Sequence, residues 1–220
     1  MLKNDYMKEV ENTLELVKEE VDKNIIEGNV LEARNRLNKS IRGLIGLDIC
    51  TIDVLSFKSI EELISKEKQY NTEKYIAFGE LMKLEGMVSQ KENNENEKIN
   101  YYEKSLEGFY KAYTEDDTID TKYLEDAAEV AEELSQYKLP IETDKKIFKI
   151  YELANKFDKA EDILFYMLRK TENDSNIFLE GISFYNRLKE KSHEDLISGN
   201  LPLEEVEDGI KELERRRELE

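Results

Sequence analysis

Apolar side chains return at every third or fourth place along almost the whole chain, and very little interrupts them. Met7, Val10, Leu14, Val17, Val21 and Ile25 open the pattern. Steps of three and four place these residues on one face of a helix with 3.6 residues per turn. Only two prolines and nine glycines occur in 220 residues. A chain so periodic and so poor in breakers has few options besides packed helices.

The same reading continues downstream. Gly28, in "EGNVLEA", offers the left-handed backbone that ends the first helix, predicted over 3–27. A helix over 30–45 follows, with Ala33, Leu37, Ile41, Leu44 and Ile45 as its stripe. Residues 46–57 are rich in β-branched side chains. A strand there would lack a partner, so a short helix or an irregular buried connection is expected. Ser59 and Glu62 form a capping-box pattern at the start of a helix over 60–68. A long helix over 72–90 has Ile76, Leu81, Leu84 and Val88 as core candidates. "SQKENNENEKIN" reads as a polar loop and the most mobile point of the chain. Helices are expected over 97–114 and 119–137, with Pro140 ending the latter, and then over 143–155, 158–171 and 175–191. A final helix over 203–217 starts beside Pro202, where the missing N–H is harmless. Leu203, Val206, Ile210 and Leu213 make its apolar stripe, and a charged exterior suits a capping helix.

Short connections imply antiparallel neighbours. The length suits one domain, or two small ones, able to bury about 70% of the unfolded surface. The expectation is an all-α domain: a helical array over 1–199, with residues 200–220 as a capping helix packed on it.

The segment "NKFDKAEDILFYMLRK", residues 155–170, bears acids, bases and a tyrosine. Its spacing is that of a packed hairpin. Asn155 suits a helix-ending turn and Asp158 a cap. Ala160 permits close approach, Ile163, Leu164, Met167 and Leu168 fill a seam, and Lys159, Glu161, Asp162 and Arg169 face water. Tyr151, Ala160 and Leu164 stand at the spacings of the tetratricopeptide repeat, which pairs two helices in about 34 residues. Gly28, Ala33 and Leu37 repeat the idea, and Ser105, Phe109 and Ala112 look like the second helix of a third unit. The chain therefore resembles tetratricopeptide-like helical-hairpin proteins in about three degenerate units, without their usual Trp or terminal Pro. The "NKFDKAEDILF" segment is also similar to one in uncharacterised Firmicute proteins with such helices. The resemblance implies stacked antiparallel hairpins and a groove for a protein partner. It implies no catalytic activity.

Charge narrows the partners. Asp and Glu number 51 against 33 Lys and Arg, a formal net charge of −18. That field repels phosphate backbones and anionic lipid, so neither nucleic acid nor membrane is an expected partner. Tyr and Phe interleaved with Lys in "KINYYEKSLEGFYKAY" fit a helical core better than a base-stacking surface. The first twenty residues are too charged for a signal peptide, and no apolar stretch has transmembrane length, so a cytosolic location is expected. Cys50 is the one cysteine, read as a small buried hydrophobe.

Candidate chemistry is sparse. His193 is the single histidine, read as a surface residue before a helix start. "DDTIDTKYLED" fails the EF-hand pattern, because counting from Asp116 its sixth and twelfth places are Thr121 and Ala127. Asp117 or Asp120 is more simply a helix cap. No phosphate-binding glycine loop is present. The isolated glycines of "EGMVSQ" and "EGISFY" mark close helix contacts. No cofactor and no metal is expected.

One stretch departs from the acidic background. Residues 33–47 carry Arg34, Arg36, Lys39 and Arg42 and no acid, and Arg34, Asn38 and Arg42 share one helical stripe. These five residues are the candidate binding site, able to dock a carboxylate or a phosphate. The alternative is neutralisation by the chain's own glutamates. The expected function is non-catalytic binding of a basic or amphipathic protein or peptide by a cytosolic adaptor or regulator. A small-ligand sensor or enzyme using the basic stripe, and a self-associating structural subunit, are the competing expectations.

Overall fold

The computed structural model describes residues 3–67, 71–116 and 118–218. Among them are twelve α-helices and one 3-10 turn, and no strand. The chain is all-α, as its periodicity predicts, and falls into two compact units, 1–136 and 137–220.

The first unit begins with a hairpin of α1 (Lys3–Glu27) and α2 (Val30–Leu44). Gly28 sits at φ +77° and the Asn29 N–H reaches back to the Asn24 carbonyl at 2.8 Å, the helix-ending turn expected there. The β-branched run folds as a short helix, α3 (Ile49–Val54). Asp48 starts it, accepting from the Thr51 N–H at 2.8 Å. This run is less buried than expected: Ile52 is enclosed, but Val54 and Cys50 are exposed. A single turn of helix has only one inward face, so the expected buried cysteine is corrected to a surface thiol.

Helix α4 (Phe57–Ile64) starts one turn earlier than its capping-box pattern implied. Ser56 is the cap, accepting from the Ser59 N–H at 3.3 Å, and a 3-10 turn, Ser65–Glu67, follows.

Helices α5 (Asn71–Lys91) and α6 (Glu95–Glu115) leave almost nothing of the expected mobile loop. Asn93 takes φ +58°, and the Asn94 N–H bonds to the Ser89 carbonyl at 2.9 Å. The Asn94 side chain then caps α6 through the Glu97 N–H. Asparagine tolerates left-handed backbone and caps helices, so a polar stretch makes a tight corner. Helix α7 (Lys122–Ser135) completes the unit. Asp120 accepts from the Lys122 N–H at 3.0 Å at its start, while Asp117 lies outside the described residues.

The two long helices cross closely because glycine faces glycine. A Cβ on Gly108 would lie 3.0 Å from the Gly79 nitrogen and from the Tyr75 carbonyl oxygen, both backbone atoms. Ser105 Oγ donates to the Gly79 carbonyl at 2.7 Å in the same crossing. Helix α5 also packs on α1, α2 and α7. Its sequence proposed one apolar stripe, yet Glu73, Tyr75, Ile76, Phe78, Lys83, Glu85 and Ser89 are all buried.

The second unit contains α8 (Ile141–Leu153), α9 (Phe157–Lys170), α10 (Ser175–Lys189), α11 (His193–Ser198) and α12 (Leu203–Glu218). Pro140 starts α8 rather than ending α7: its carbonyl accepts from the Thr143 and Asp144 N–H groups, and α7 has already stopped at Ser135. Asn155 turns the chain at φ +54° between α8 and α9, as its position implied. Asp158 lies inside the first turn of α9 rather than at its cap, which is Lys156. Ala160, Leu164, Met167 and Leu168 form the buried seam. Gly181 lets Leu164 and Leu213 converge, since a Cβ there would meet each at 3.0 Å. The periodicity missed α11, a single turn capped by Ser192 that buries Leu196. His193 is its exposed first residue. In α12, Val206 and Leu213 are buried, but Leu203 is exposed.

Candidate functional site on the central helix

A helix packed on four neighbours cannot send its polar side chains to water. Helix α5 carries Glu80, Lys83, Glu85 and Ser89, all buried. Burying a charge is costly unless it is paired and hydrogen-bonded, so partners must come from the helices around it. They arrive on two sides and build two clusters.

Arg34 of α2 supplies the first. Its guanidinium meets Glu85 at 3.1 Å, Glu92 at 2.5 Å and Glu97 at 2.9 Å, and donates to Ser89 Oγ at 3.3 Å. The Glu85 side chain is only 1% exposed. Burial pushes its carboxyl up to about 7 against the opposing pull of Arg34, with Asp53, Glu92 and Glu97 adding to the rise. Burial alone would lower the Arg34 pKa, but the Glu92 hydrogen bond and the Glu85 charge raise it instead. Tyr101 donates to Asp53 at 2.9 Å beside them.

The other residues of the basic stripe do not converge on Arg34. Arg36 pairs with Glu20 of α1 and donates to Ser40. Asn38 Oδ1 accepts from the Ile49 N–H at 3.0 Å and fastens the start of α3. Arg42 approaches Asp48 at 3.8 Å, and Lys39 is exposed. Helical spacing aligned these side chains, but the surrounding elements draw them in separate directions.

The second cluster lies on the side of α5 that faces α1 and α7, and sequence analysis did not identify it. Lys83 Nζ donates to Asp126 and, at 2.5 Å, to Glu129. Lys18 of α1 lies 3.4 Å from the same Asp126 carboxylate. Glu11 and Lys122 pair at 2.8 Å nearby. Glu80 sits one turn before Lys83, 6% exposed. A cavity of about 200 Å³ is lined by residues of all three helices, among them Leu14, Lys18, Glu80, Leu84, Tyr123 and Asp126.

Neighbouring carboxyls in this cluster are driven apart in acidity. Burial would raise Asp126, yet the Lys83 hydrogen bond and the Lys83 and Lys18 charges hold it below the ordinary carboxylate value. Burial and then the Asp126 charge push Glu80 up to about 8, despite Lys83 and Lys18. One ionised carboxylate thus stands beside one that keeps its proton near neutrality. The only sequence signal for this site was a Glu and a Lys inside a stretch dense in core residues. A single-stripe template assigns both to solvent.

The arrangement can hold and orient charge. Among the described residues no group of three or more His, Cys, Asp or Glu is placed to hold a metal ion. His193 and Cys50 are both exposed and belong to different units. No described helix is long and apolar enough to cross a membrane. A family model described as a family of unknown function, DUF6483, matches residues 1–218. No curated protein and no solved structure matches the chain.

Proposed function

The chain belongs to DUF6483, a family of unknown function, and from that premise we propose that it is a non-catalytic helical-hairpin module that binds a basic or amphipathic protein segment. The observation that carries this reading is where the basic residues go. Arg34, Arg36 and Arg42 each turn onto the chain's own carboxylates. Lys83 and Lys98 are likewise buried against Asp126 and Glu133. With 51 acids to 33 bases, pairing of this kind leaves the excess acid to the surface, where it steers and holds a cationic partner. Stacked hairpins supply a surface wide enough for an extended or helical segment. A tetratricopeptide-like array, relatives among Firmicute proteins and a cytosolic location as adaptor or regulator complete the proposal.

Fluorescence anisotropy with two labelled amphipathic helical peptides tests it, one with a Lys face and one with a Glu face. The Lys peptide is expected to bind about tenfold more weakly for each severalfold rise in salt, and the Glu peptide not at all. Affinity capture from native extract followed by native mass spectrometry should return a protein. Recovery of a small metabolite with no protein would overturn the reading.

A further inference from the structure

We propose that the seat of α12 on α9 and α10 is a helix-binding groove that α12 fills in the free protein, and that its partner is an amphipathic helix with a base where α12 has Glu205. This rests on the protein-binding reading and names its site. The first observation is how little holds α12. Of its described side chains only Val206 and Leu213 are buried, with Gly209 between them. Its ion pairs, Lys211 with Asp208 and both Arg215 and Arg216 with Glu212, all lie within the helix. Among the described residues its one charged contact with another element is attractive but wet, Arg216 at 5.0 Å over the Phe165 ring. The chain leading to α12 is fastened separately. The Asp158 N–H donates to the Gly199 carbonyl at 3.2 Å, the Asn200 side chain donates to Asp158 at 3.3 Å, and Leu201 is buried. That anchor ends where α12 begins, so α12 swings out from Pro202 while the helices beneath it keep their places.

The second observation is that the seat is finished without α12. Tyr185 is fully buried and donates to Glu161 Oε1 at 2.5 Å, a bond between α10 and α9. Gly181 and Leu164 form the notch that takes Leu213. The hydroxyl under α12 is thus paired inside the groove, and an entering helix has to bring shape rather than a hydrogen bond.

The third observation selects the partner. Burial raises the Glu161 carboxyl, the Tyr185 hydrogen bond pulls it down, and the charges of Glu205, Asp162 and Asp158 push it up again. The resident helix therefore sets like charge against like, and a base in place of Glu205 turns that repulsion into attraction. Shape adds a requirement. A Cβ on Gly209 would overlap the Tyr185 hydroxyl, and that ring is held by its bond to Glu161, so the entering helix needs glycine at this place. Apolar residues three places before it and four after, as Val206 and Leu213 stand in α12, complete the pattern.

The test adds synthetic helices to the full chain and follows two-dimensional NMR and amide hydrogen exchange. Each has the Leu203–Glu218 sequence: one unchanged, one with Glu205→Lys, and one with Glu205→Lys and Gly209→Leu. The Glu205→Lys helix is expected to bind about tenfold more tightly than the unchanged one, to shift Leu164, Gly181 and Tyr185, and to strip exchange protection from the chain's own α12. Adding Gly209→Leu is expected to abolish that binding. Gly209→Ala in the full chain is expected to speed exchange in α12 and to strengthen binding of the Glu205→Lys helix. If that variant fails to fold, the wild-type titrations decide alone. Equal binding of the last two helices overturns the proposal, as does a dimer formed by exchange of α12 between two copies without peptide. Binding that leaves α12 protected overturns the groove and leaves the protein-binding reading standing. No binding by these helices overturns the groove alone where the Lys-faced peptide above binds, and both readings where it does not.

Discussion

Helices α5 and α9 use similar residues and are buried in opposite ways. In α9 one stripe, Ala160, Leu164, Met167 and Leu168, enters the core, while Asp162 and Arg169 stay wet. In α5 nearly every face is covered, and the glutamates and the lysine that water would solvate are taken inside. The charges of α9 engage other elements at its edges, Lys170 on Asp144 of α8 and Glu161 accepting from Tyr185 of α10, whereas those of α5 draw on α1, α2, α6 and α7. A mostly enclosed helix thus exchanges solvation for ion pairs, and pairing organises the charge clusters of the first unit.

The largest expected effect breaks α5. Lys83→Ala removes the buried partner of Asp126 and Glu129, and the cost is about 3 kcal/mol, the low end for a broken buried pair, because Lys18 stays on Asp126 and Glu129 is largely exposed. Urea denaturation should show that loss in the first unit. A loss under ~1 kcal/mol would mean that water solvates the cluster.

Next, the close seam of α9 can be overfilled. Ala160 is fully buried, so Ala160→Leu should destabilise by about 1–3 kcal/mol in the same assay. Unchanged stability would remove Ala160 from the close crossing.

A smaller effect distinguishes the two regions by pH. Glu80 and Glu85 rise from 4.5 to about 8 and about 7, chiefly through burial. Both therefore keep protons in the folded state at pH values where the unfolded chain has lost them. Their contribution is fullest below pH 4.5, falls between about 4.5 and 8, and changes no further above. We expect a loss of ~2 kcal/mol across that window, allowing for coupling to Asp126 and Lys83. Glu80→Gln should flatten it. A stability that rose from pH 5 to 8 in wild type and not in Glu80→Gln would reverse the sign assigned to Glu80.

The smallest effect lies on the wet surface of the second unit. Lys145 and Glu142 pair at 2.7 Å but are 45% and 69% exposed. Lys145→Ala should change stability by less than about 0.5 kcal/mol. A larger change would make that pair more than a solvated contact.

Much of this architecture was legible before any coordinate. Helix α1, the Gly28 turn, the α8–α9 hairpin with its Asn155 corner, and the final helix follow from spacing and turn chemistry. The errors have local causes. The Asn93–Asn94 corner was hidden by its polarity, and Cys50 by apolar neighbours on a helix too short to enclose them. The candidate site was half legible. A basic stripe without acids in residues 33–47 drew attention to Arg34, but nothing near it in sequence names Glu85, Glu92 or Glu97. The Glu80–Lys83–Asp126 cluster was not legible at all, because two of its members sit one turn apart in a helix read as half exposed.

The amino-acid order by itself determined where the helices lie, since the period of apolar residues and the placing of Gly and Asn are properties of a few consecutive positions. Which polar side chains went dry was decided only when α1, α2, α6 and α7 closed around α5. Desolvation depends on what covers a residue from elsewhere in the chain, and that covering turned Glu80, Lys83 and Glu85 from ordinary helix-surface residues into buried, perturbed charges.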